Sequence, residues 1–387
     1  MLRLDSIKQF VIDNKSQSHL CICNANLFDG SVNNGVYGFP HAGRHHTKSF
    51  WRAISSMYNL GANDLVFLYR TKGNRPGCQE INGPFKVHAL NGFPAIYYDP
   101  SSPDLPLLIN GETDCKVRFL FESFDAHVYS IADNYELIKK FEDKTIWGYR
   151  HPAVMNIGAA RKKSVTSFTH KQTLALLGLF ETFGADRQVL PAPIPLPNRV
   201  AYYNSLRNNQ GDNRFILDDS FLIAAETRDE AYLYSYFLRG IKNPTSQLHD
   251  DLITQFSNIN DAMLHPASGK SFDDLSMSAL MEAVISPHLQ DELDIVLFDA
   301  EDQCMLVLEF KDGTIDQQAI LQTQKYMDLL SAILPGRQVF ANIVGSGREP
   351  GAAVGQAFRD TIKLIKYERN SLSGLLSFTL LNDAIAQ

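Results

Sequence analysis

The feature that most constrains the fold is a pair of short apolar runs joined by a polar turn. Leu293–Phe298 and Met305–Lys311 are rich in Val, Leu, Ile and Phe, and Asp299–Gln303 between them is polar, a pattern that predicts a β-hairpin. A long amphipathic segment, Asp316–Leu334, predicts a helix, and Gln338–Val344 predicts a further strand. A hairpin followed by a helix and a strand indicates an α/β sandwich.

Charged residues lie at the open end of this predicted hairpin. Antiparallel pairing places Asp294 across from Leu308 and Glu309. Side chains alternate between the two faces of a strand, so Glu309 and Lys311 project together while Phe310 points to the apolar side. We therefore expect two carboxylates and one amine to converge.

Such a trio suits metal-assisted hydrolysis. Two carboxylates match the oxygen ligands of Mg²⁺ better than a structural zinc site, and Mn²⁺ is able to substitute. The ion would polarise a phosphate and activate a water, and Lys311 would orient the nucleophile or neutralise developing charge. The alternative is structural, since Glu-x-Lys on an exposed strand is common and a single Asp at a strand start is often a cap or an ion-pair partner.

The helix after the hairpin supplies candidate supporting residues. Gln318, Gln322 and Tyr326 fall at i, i+4 and i+8, on one helical face that can look toward the hairpin end. Gln322 and Tyr326 are the two that we add to the predicted site.

The segment from Ser276 to Val344 resembles the PD-(D/E)XK nuclease superfamily, whose pattern is a helical acid, then Asp, a spacer and Glu-x-Lys. The run Ala319–Met327 looks like the NucS-type branch, in which a Gln and a Tyr four residues apart follow the catalytic strand. Leu293 stands where many members have Pro. The resemblance implies a Mg²⁺-dependent nuclease with an α/β/α core.

The family pattern also implies an acid upstream of the hairpin. Glu282, on a predicted helix Ser276–Ile285, is the first choice, with Glu226 and Glu230 as alternatives. Glu282 could equally be an exposed residue of that helix.

A proline-rich run, Leu190–Pro197, favours extended geometry and marks a connector. A chain of 387 residues is longer than one hydrophobic core usually serves. We therefore predict an N-terminal domain over residues 1–187, a linker over 188–200 and a nuclease domain over 201–387.

The two halves differ in their predicted elements. The first half combines predicted strands with predicted helices. The strands are predicted over His19–Cys23, Leu65–Tyr69, Phe85–Ala89 and Lys116–Phe124. The helices are predicted over Leu4–Asn14, Ser49–Tyr58, Asn134–Phe141 and Lys171–Phe183. The second half adds predicted helices over Arg228–Ile241, Leu248–Phe256 and Gly355–Tyr367. The fold class is α/β overall, with a small barrel and flanking helices at the N-terminus.

The N-terminal half resembles the PUA-like group that includes EVE and YTH domains. The resemblance rests on Leu60–Tyr69, Ile81–Val87 and Ala95–Asp99, and it covers roughly residues 15–170. These domains hold a flipped, modified base between aromatic rings. The candidate cage residues are Trp51, Tyr37, Phe39 and Tyr69, with Asn24 and Asp99 as edge readers; the alternative for each aromatic residue is core packing.

A basic segment stands out in a chain of net charge −7. No acid occurs between Lys144 and Leu179, and the cations there predict contact with a nucleic-acid backbone, although a solvated face is the other interpretation; the candidates are Arg161, Lys162, Lys163 and Lys171.

These features together predict a modification-dependent restriction endonuclease that cuts double-stranded DNA as a homodimer. Two alternatives remain: a NucS-like repair nuclease for mismatched or branched DNA, and a non-catalytic nucleic-acid binding protein. Five scattered cysteines indicate free thiols, and no apolar run predicts a membrane helix. We expect a cytoplasmic protein without a membrane role.

Overall fold

The computed structural model divides the chain into two compact units, Met1–Phe221 and Leu222–Gln387. It describes residues 2–23, 25–39, 47–70, 80–98, 115–124, 127–132, 165–182, 186–189, 201, 204, 215–226, 229–275, 278–286 and 291–381. The proline-rich run Leu190–Pro197 lies outside these residues, so the predicted linker stays a prediction.

The first unit is built on a mixed, branched ten-stranded sheet. Its main path runs β10-β1-β3-β4-β8-β7-β12, with β2 paired to β8 and with β9 paired to β4 and β11. Strands β1 and β3 are parallel and the other pairs are antiparallel. The ten strands described in this sheet are β1 Ser18–Cys23, β2 Val36–Phe39, β3 Leu65–Arg70, β4 Glu80–Val87, β7 Ile96–Tyr98, β8 Val117–Ser123, β9 His127–Ala132, β10 Val165–Phe168, β11 Asp186–Val189 and β12 Phe215–Ile216. Strands β5 Ala89–Leu90 and β6 Phe93–Pro94 pair with each other in a separate antiparallel sheet.

Helices of this unit are α1 Leu2–Asn14, α2 Ala25–Asn34, α3 Lys48–Tyr58 and α4 His170–Thr182, and α5 Asp219–Ala224 crosses the boundary between the units. Helices α1 and α4 bury apolar residues together with the strands, Leu4 and Leu177 among them. The predicted mixture of strands and helices is confirmed here, although the predicted strand Phe85–Ala89 begins earlier, as β4. The predicted helix Asn134–Phe141 lies outside the described residues, and the PUA-like likeness stays a prediction.

The second unit is built on a six-stranded sheet in sequential order. The first three strands and the last two pair antiparallel, whereas β15, β16 and β17 run parallel. The strands are β13 Ser278–Ser286, β14 Asp291–Phe298, β15 Cys304–Phe310, β16 Gln338–Gly345, β17 Ile362–Arg369 and β18 Leu376–Leu380.

Helices cover this sheet. They are α6 Glu230–Lys242, α7 His249–Ser268, α8 Phe272–Leu275 and α9 Gln317–Ile333, with a 3₁₀ turn at Gln356–Phe358. The Asp229 side chain caps α6 by accepting from the backbone N–H of Ala231 at 2.8 Å. Phe237 on α6 packs against Phe310 on β15, with ring centroids 5.8 Å apart. Within the described part of the chain, no helix has the length and apolar character to cross a membrane.

The hairpin, the following helix and the next strand match the sequence predictions. Strands β14 and β15 pair with Ile295 opposite Leu308, so continuing the ladder places Asp294 opposite Glu309. Helix α9 is capped by Asp316, whose side chain accepts from the backbone N–H of Ala319 at 2.7 Å. Strand β16 pairs parallel to β15, which puts the carboxyl ends of both strands at one edge of the sheet.

The predicted helix Ser276–Ile285 is wrong, because the segment forms β13 on the edge of the sheet. Its Ala, Leu and Met residues favour a helix locally. Pairing with β14 supplies the backbone hydrogen bonds instead, and Ala279 and Leu280 are buried. Tertiary pairing has overridden a weak local preference.

The predicted helix Gly355–Tyr367 is also wrong. The chain makes the short 3₁₀ turn and then enters β17, which pairs parallel to β16. Ile362 and Leu364 are buried while Lys363 between them is partly exposed, which is the two-residue alternation of a strand.

Candidate active site

Asp294, Glu309 and Lys311 meet at the open end of the hairpin. Glu309 is the penultimate residue of β15 and only 2% exposed. Lys311 follows that strand, its backbone N–H donates to Val344 O at 2.8 Å, and its Nζ lies 3.8 Å from Glu309 Oε2. Asp294 on β14 accepts from the backbone N–H of Phe310 at 2.8 Å, which places its carboxylate beside β15. The structure thus brings the three predicted residues together.

Asp294 is held through both of its oxygens. Its Oδ2 accepts from the Phe310 N–H, and its Oδ1 accepts from the hydroxyl of Tyr234 at 2.7 Å. Tyr234 lies on α6, and its ring packs against Phe310 with centroids 5.4 Å apart. The orientation of this carboxylate is therefore fixed by two neighbouring elements.

Burial makes the ionised form of each carboxylate costly. It raises the pKa of Asp294 from 3.8 to about 6, although the Phe310 N–H, Lys311 and Tyr234 act in the opposite direction. Burial and the Asp294 charge raise the pKa of Glu309 well above its usual range. Burial also raises the pKa of Tyr234, so its hydroxyl stays a donor at neutral pH. A nearby cation would favour both ionised carboxylates.

Among the upstream acids whose side chains the structure describes, Glu230 acts electrostatically on both candidate carboxylates. It lies in the first turn of α6, and its charge raises the pKa of both Asp294 and Glu309. Glu226 is exposed and lines an open cleft with Arg369. The predicted helical position of Glu282 was wrong, because Glu282 lies on strand β13, between Met281 and Ala283, which pair with Ile295 and Leu293 of β14.

The residues at this end fit a hard divalent cation. Glu309 Oε1 is buried and accepts no hydrogen bond from any described residue. Two carboxylates with water and substrate oxygens are a usual ligand set for Mg²⁺. Within the described ranges, no group of three or more His, Cys, Asp and Glu side chains is arranged to hold a metal ion. Asp294 and Glu309 would accordingly supply the protein ligands, with solvent or substrate completing the shell.

Gln322 and Tyr326 bond to each other on α9. Gln322 Nε2 donates to Tyr326 Oη, and Tyr326 is buried while Gln322 and Gln318 are exposed. Their predicted support of the carboxylates stays a prediction. Tyr234 was missed by the sequence analysis, although it stands four residues after Glu230 and so shares a helical face with an acid that was considered.

The candidate cage aromatics are packed inside the first unit. Trp51 is fully buried and stacks on Phe221 with centroids 5.5 Å apart, and Tyr37, Phe39 and Tyr69 are also buried. Core packing, the alternative interpretation, describes these positions, and they offer no exposed aromatic surface to a flipped base. Asn24 and Asp99 lie outside the described residues.

The basic candidates fall largely outside the described residues. Arg161, Lys162 and Lys163 lie there, whereas Lys171 is exposed in the first turn of α4. Contact between this basic segment and a nucleic-acid backbone stays a prediction.

A scan against models of protein families finds no match, and a search of curated proteins finds none. Among solved structures, the crystal structure of a repair endonuclease from Pyrococcus abyssi matches at 21% identity and a TM-score of 0.20, covering 29% of this chain and 47% of that one. An EndoMS–dsDNA complex matches at 16% identity and a TM-score of 0.20, covering 30% and 47%. This chain thus matches less than half of either neighbour, and such TM-scores establish no shared fold.

Proposed function

We propose that the chain is a Mg²⁺-dependent endodeoxyribonuclease whose active site contains Asp294, Glu309 and Lys311. The observation that carries the proposal is the pairing of two carboxylates on adjacent strands beside one lysine, with Glu309 Oε1 buried and lacking a hydrogen-bond donor among the described residues. A buried acceptor without a donor costs free energy unless a ligand completes it. A divalent cation would complete it.

Each residue has a role in this proposal. Asp294 and Glu309 would hold the cation, and Lys311 would place its ammonium group beside the scissile phosphate. The bound ion would supply Lewis-acid stabilisation of the phosphate and a more acidic water. Lys311 would add positive charge where negative charge develops in the transition state.

The test is cleavage of supercoiled plasmid by the full chain with Mg²⁺, Mn²⁺ or EDTA. We expect nicked or linear products with either ion and none with EDTA. Asp294→Asn should remove the activity, whereas Glu301→Gln, at the exposed turn of the same hairpin, should leave it unchanged. Binding of DNA without metal-dependent cutting by wild type would favour a non-catalytic binding protein and reject the proposal.

For the substrate we propose double-stranded DNA. Selection of a modified base, as by a modification-dependent restriction enzyme, is the finer proposal, and it would need a pocket other than the buried aromatic residues Trp51, Tyr37, Phe39 and Tyr69. Matched duplexes that differ in one modified base test this directly. Preferential cleavage of mismatched or branched duplexes, with indifference to modification, would assign a repair nuclease instead.

We further propose that the active species is a homodimer, since each chain carries one candidate site and one such site cuts one strand. Sedimentation at working concentrations, combined with counting nicked against linear plasmid, tests this. A monomer that makes double-strand breaks in single encounters would contradict it.

A further inference from the structure

Helix α6 places three tyrosine hydroxyls in hydrogen bonds with three different kinds of partner. Tyr232 Oη donates to Leu222 O at 3.1 Å, and Tyr236 Oη accepts from the backbone N–H of Leu376 at 3.0 Å. Tyr234 Oη instead donates to a candidate active-site carboxylate, Asp294 Oδ1, at 2.7 Å. The helix thus supplies one tyrosine directed at the candidate site and two that bond to backbone.

The contact constrains the carboxylate of Asp294. A carboxylate held through one oxygen can still turn, whereas donors on both oxygens set the plane of the group. The Phe310 N–H is fixed by the strand, so the Tyr234 hydroxyl is the side-chain partner that completes the clamp. Each oxygen keeps a further lone pair, so the clamp and a bound cation are compatible.

The tyrosine ring is itself held in place. Tyr234 is 6% exposed and packs against Phe310, which also packs against Phe237. The hydroxyl therefore reaches Asp294 from a rigid ring. Replacing Tyr234 by Phe removes the hydroxyl and keeps these ring contacts.

We infer that Tyr234 is a positioning residue that orients Asp294 toward Glu309 for binding of the divalent cation. The inference rests on the proposed function, because it assigns a task to a residue beside the proposed metal ligands. Groups that hydrogen-bond to a metal ligand fix its orientation, and their loss commonly weakens metal affinity by about 10- to 100-fold.

The test is Mn²⁺ binding to the full chain, followed by the electron paramagnetic resonance signal of free Mn²⁺, with no DNA and no turnover. Tyr234→Phe should weaken Mn²⁺ binding by about tenfold. The matched controls are Tyr232→Phe and Tyr236→Phe, which each lose a buried tyrosine hydroxyl from the same helix. These controls should bind Mn²⁺ like wild type while showing a drop in melting temperature similar to that of Tyr234→Phe.

Cleavage supplies an independent readout. Tyr234→Phe should need about ten times more Mg²⁺ for half-maximal cleavage, and saturating Mg²⁺ should restore most of the rate. Unchanged Mn²⁺ affinity in Tyr234→Phe would overturn the inference, and so would equal losses in the two controls.

A measurement on wild type covers the case in which Tyr234→Phe does not fold. With tyrosine rings labelled by ¹³C, added Mn²⁺ should broaden the Tyr234 signals before those of Tyr232 and Tyr236. Equal broadening of all three would overturn the inference. Failure of the proposed function shows separately, as absence of metal-dependent cleavage by a wild type that still binds Mn²⁺.

Discussion

The two ends of the β14–β15 hairpin both hold a buried carboxylate, and they differ in how the charge is balanced. At the turn end, Asp299 Oδ1 accepts from the backbone N–H groups of Gln303 and Cys304 at 2.7 and 2.9 Å. Its Oδ2 forms an ion pair with Lys270 Nζ at 3.2 Å. Asp299 therefore has one cation and two backbone donors of its own.

The open end of the same hairpin is not balanced in this way. Among the described residues, Asp294 and Glu309 share one close cation, Lys311, whose Nζ is 3.8 Å from Glu309 Oε2, and Glu230 adds further negative charge. Glu309 Oε1 is buried without a donor among the described residues. Two buried carboxylates that share one cation indicate a ligand site, whereas a carboxylate with a cation and two backbone donors of its own indicates a role in the fold.

The largest expected effect is on the rate of DNA cleavage, which should depend on the carboxylate at the open end and not on the one at the turn end. Glu309→Gln keeps the size of the side chain and removes the charge that would hold the ion, so we expect cleavage to fall by about 10³-fold or more, since metal stabilisation of transition-state charge is worth several kcal/mol. Initial rates of plasmid nicking measure it. Asp299→Asn, the equivalent change at the turn end, should keep the wild-type rate, and equal losses at both ends would end the comparison.

The second effect concerns stability with metal. An ion that binds the folded state at one hundred times its dissociation constant adds about 2.7 kcal/mol to the unfolding free energy. Urea unfolding with and without Mn²⁺ should show this gain in wild type and in Asp299→Asn. Glu309→Gln should lose it, and a full gain in Glu309→Gln would place the ion elsewhere.

The third effect reverses the roles of the ends. The charge of Asp299 pairs with Lys270 and strengthens the two hydrogen bonds that its carboxylate accepts from the backbone. Asp299→Asn removes this charge, so it should destabilise the metal-free protein by about 2 kcal/mol. Urea unfolding in EDTA provides the measurement. An unchanged free energy of unfolding would show that the Asp299 carboxylate does not stabilise the turn end.

The most gradual effect is a pH dependence at the open end. The pKa of Asp294 is raised from 3.8 to about 6, so the folded state binds this proton more tightly than the unfolded chain does. The stabilisation that Asp294 contributes is therefore complete below the unfolded-state pKa of 3.8 and is lost as the pH rises through the folded-state pKa of about 6. Between these two pKa values the free energy of unfolding falls by at most roughly 1.4 kcal/mol per pH unit.

Asp294→Asn removes this titration. In EDTA, the unfolding free energy of wild type relative to Asp294→Asn should rise as pH falls from above 6 to about 4. A difference that is constant with pH would show that burial does not disfavour the Asp294 carboxylate.

Much of the hairpin could be predicted from local signals. Alternation of side chains along β15 places Glu309 with Lys311, and the polar turn at Asp299–Gln303 sets the register that brings Asp294 opposite Glu309. These are short-range rules, and the structure follows them. Helix α9 and strand β16 were predictable for the same reason, with Asp316 as a readable helix cap.

Other features could not be predicted from local signals. The Ser278–Ser286 segment contains good helix formers but pairs with β14, and Trp51 could equally face a pocket or a core until the sheet beneath it was known. Both outcomes depend on partners that lie far away in sequence. Local propensity is weaker than the free energy of pairing and burial at such positions.

The sequence by itself determined that two acids and a lysine meet at the end of a hairpin, because strand periodicity and turn placement act between near neighbours. The tertiary structure alone decided that α6 docks there and brings Tyr234 and Glu230 to Asp294. Docking of a helix is fixed by packing, here of Phe237 and Tyr234 on Phe310, and such contacts between distant segments leave no periodic signal in the chain.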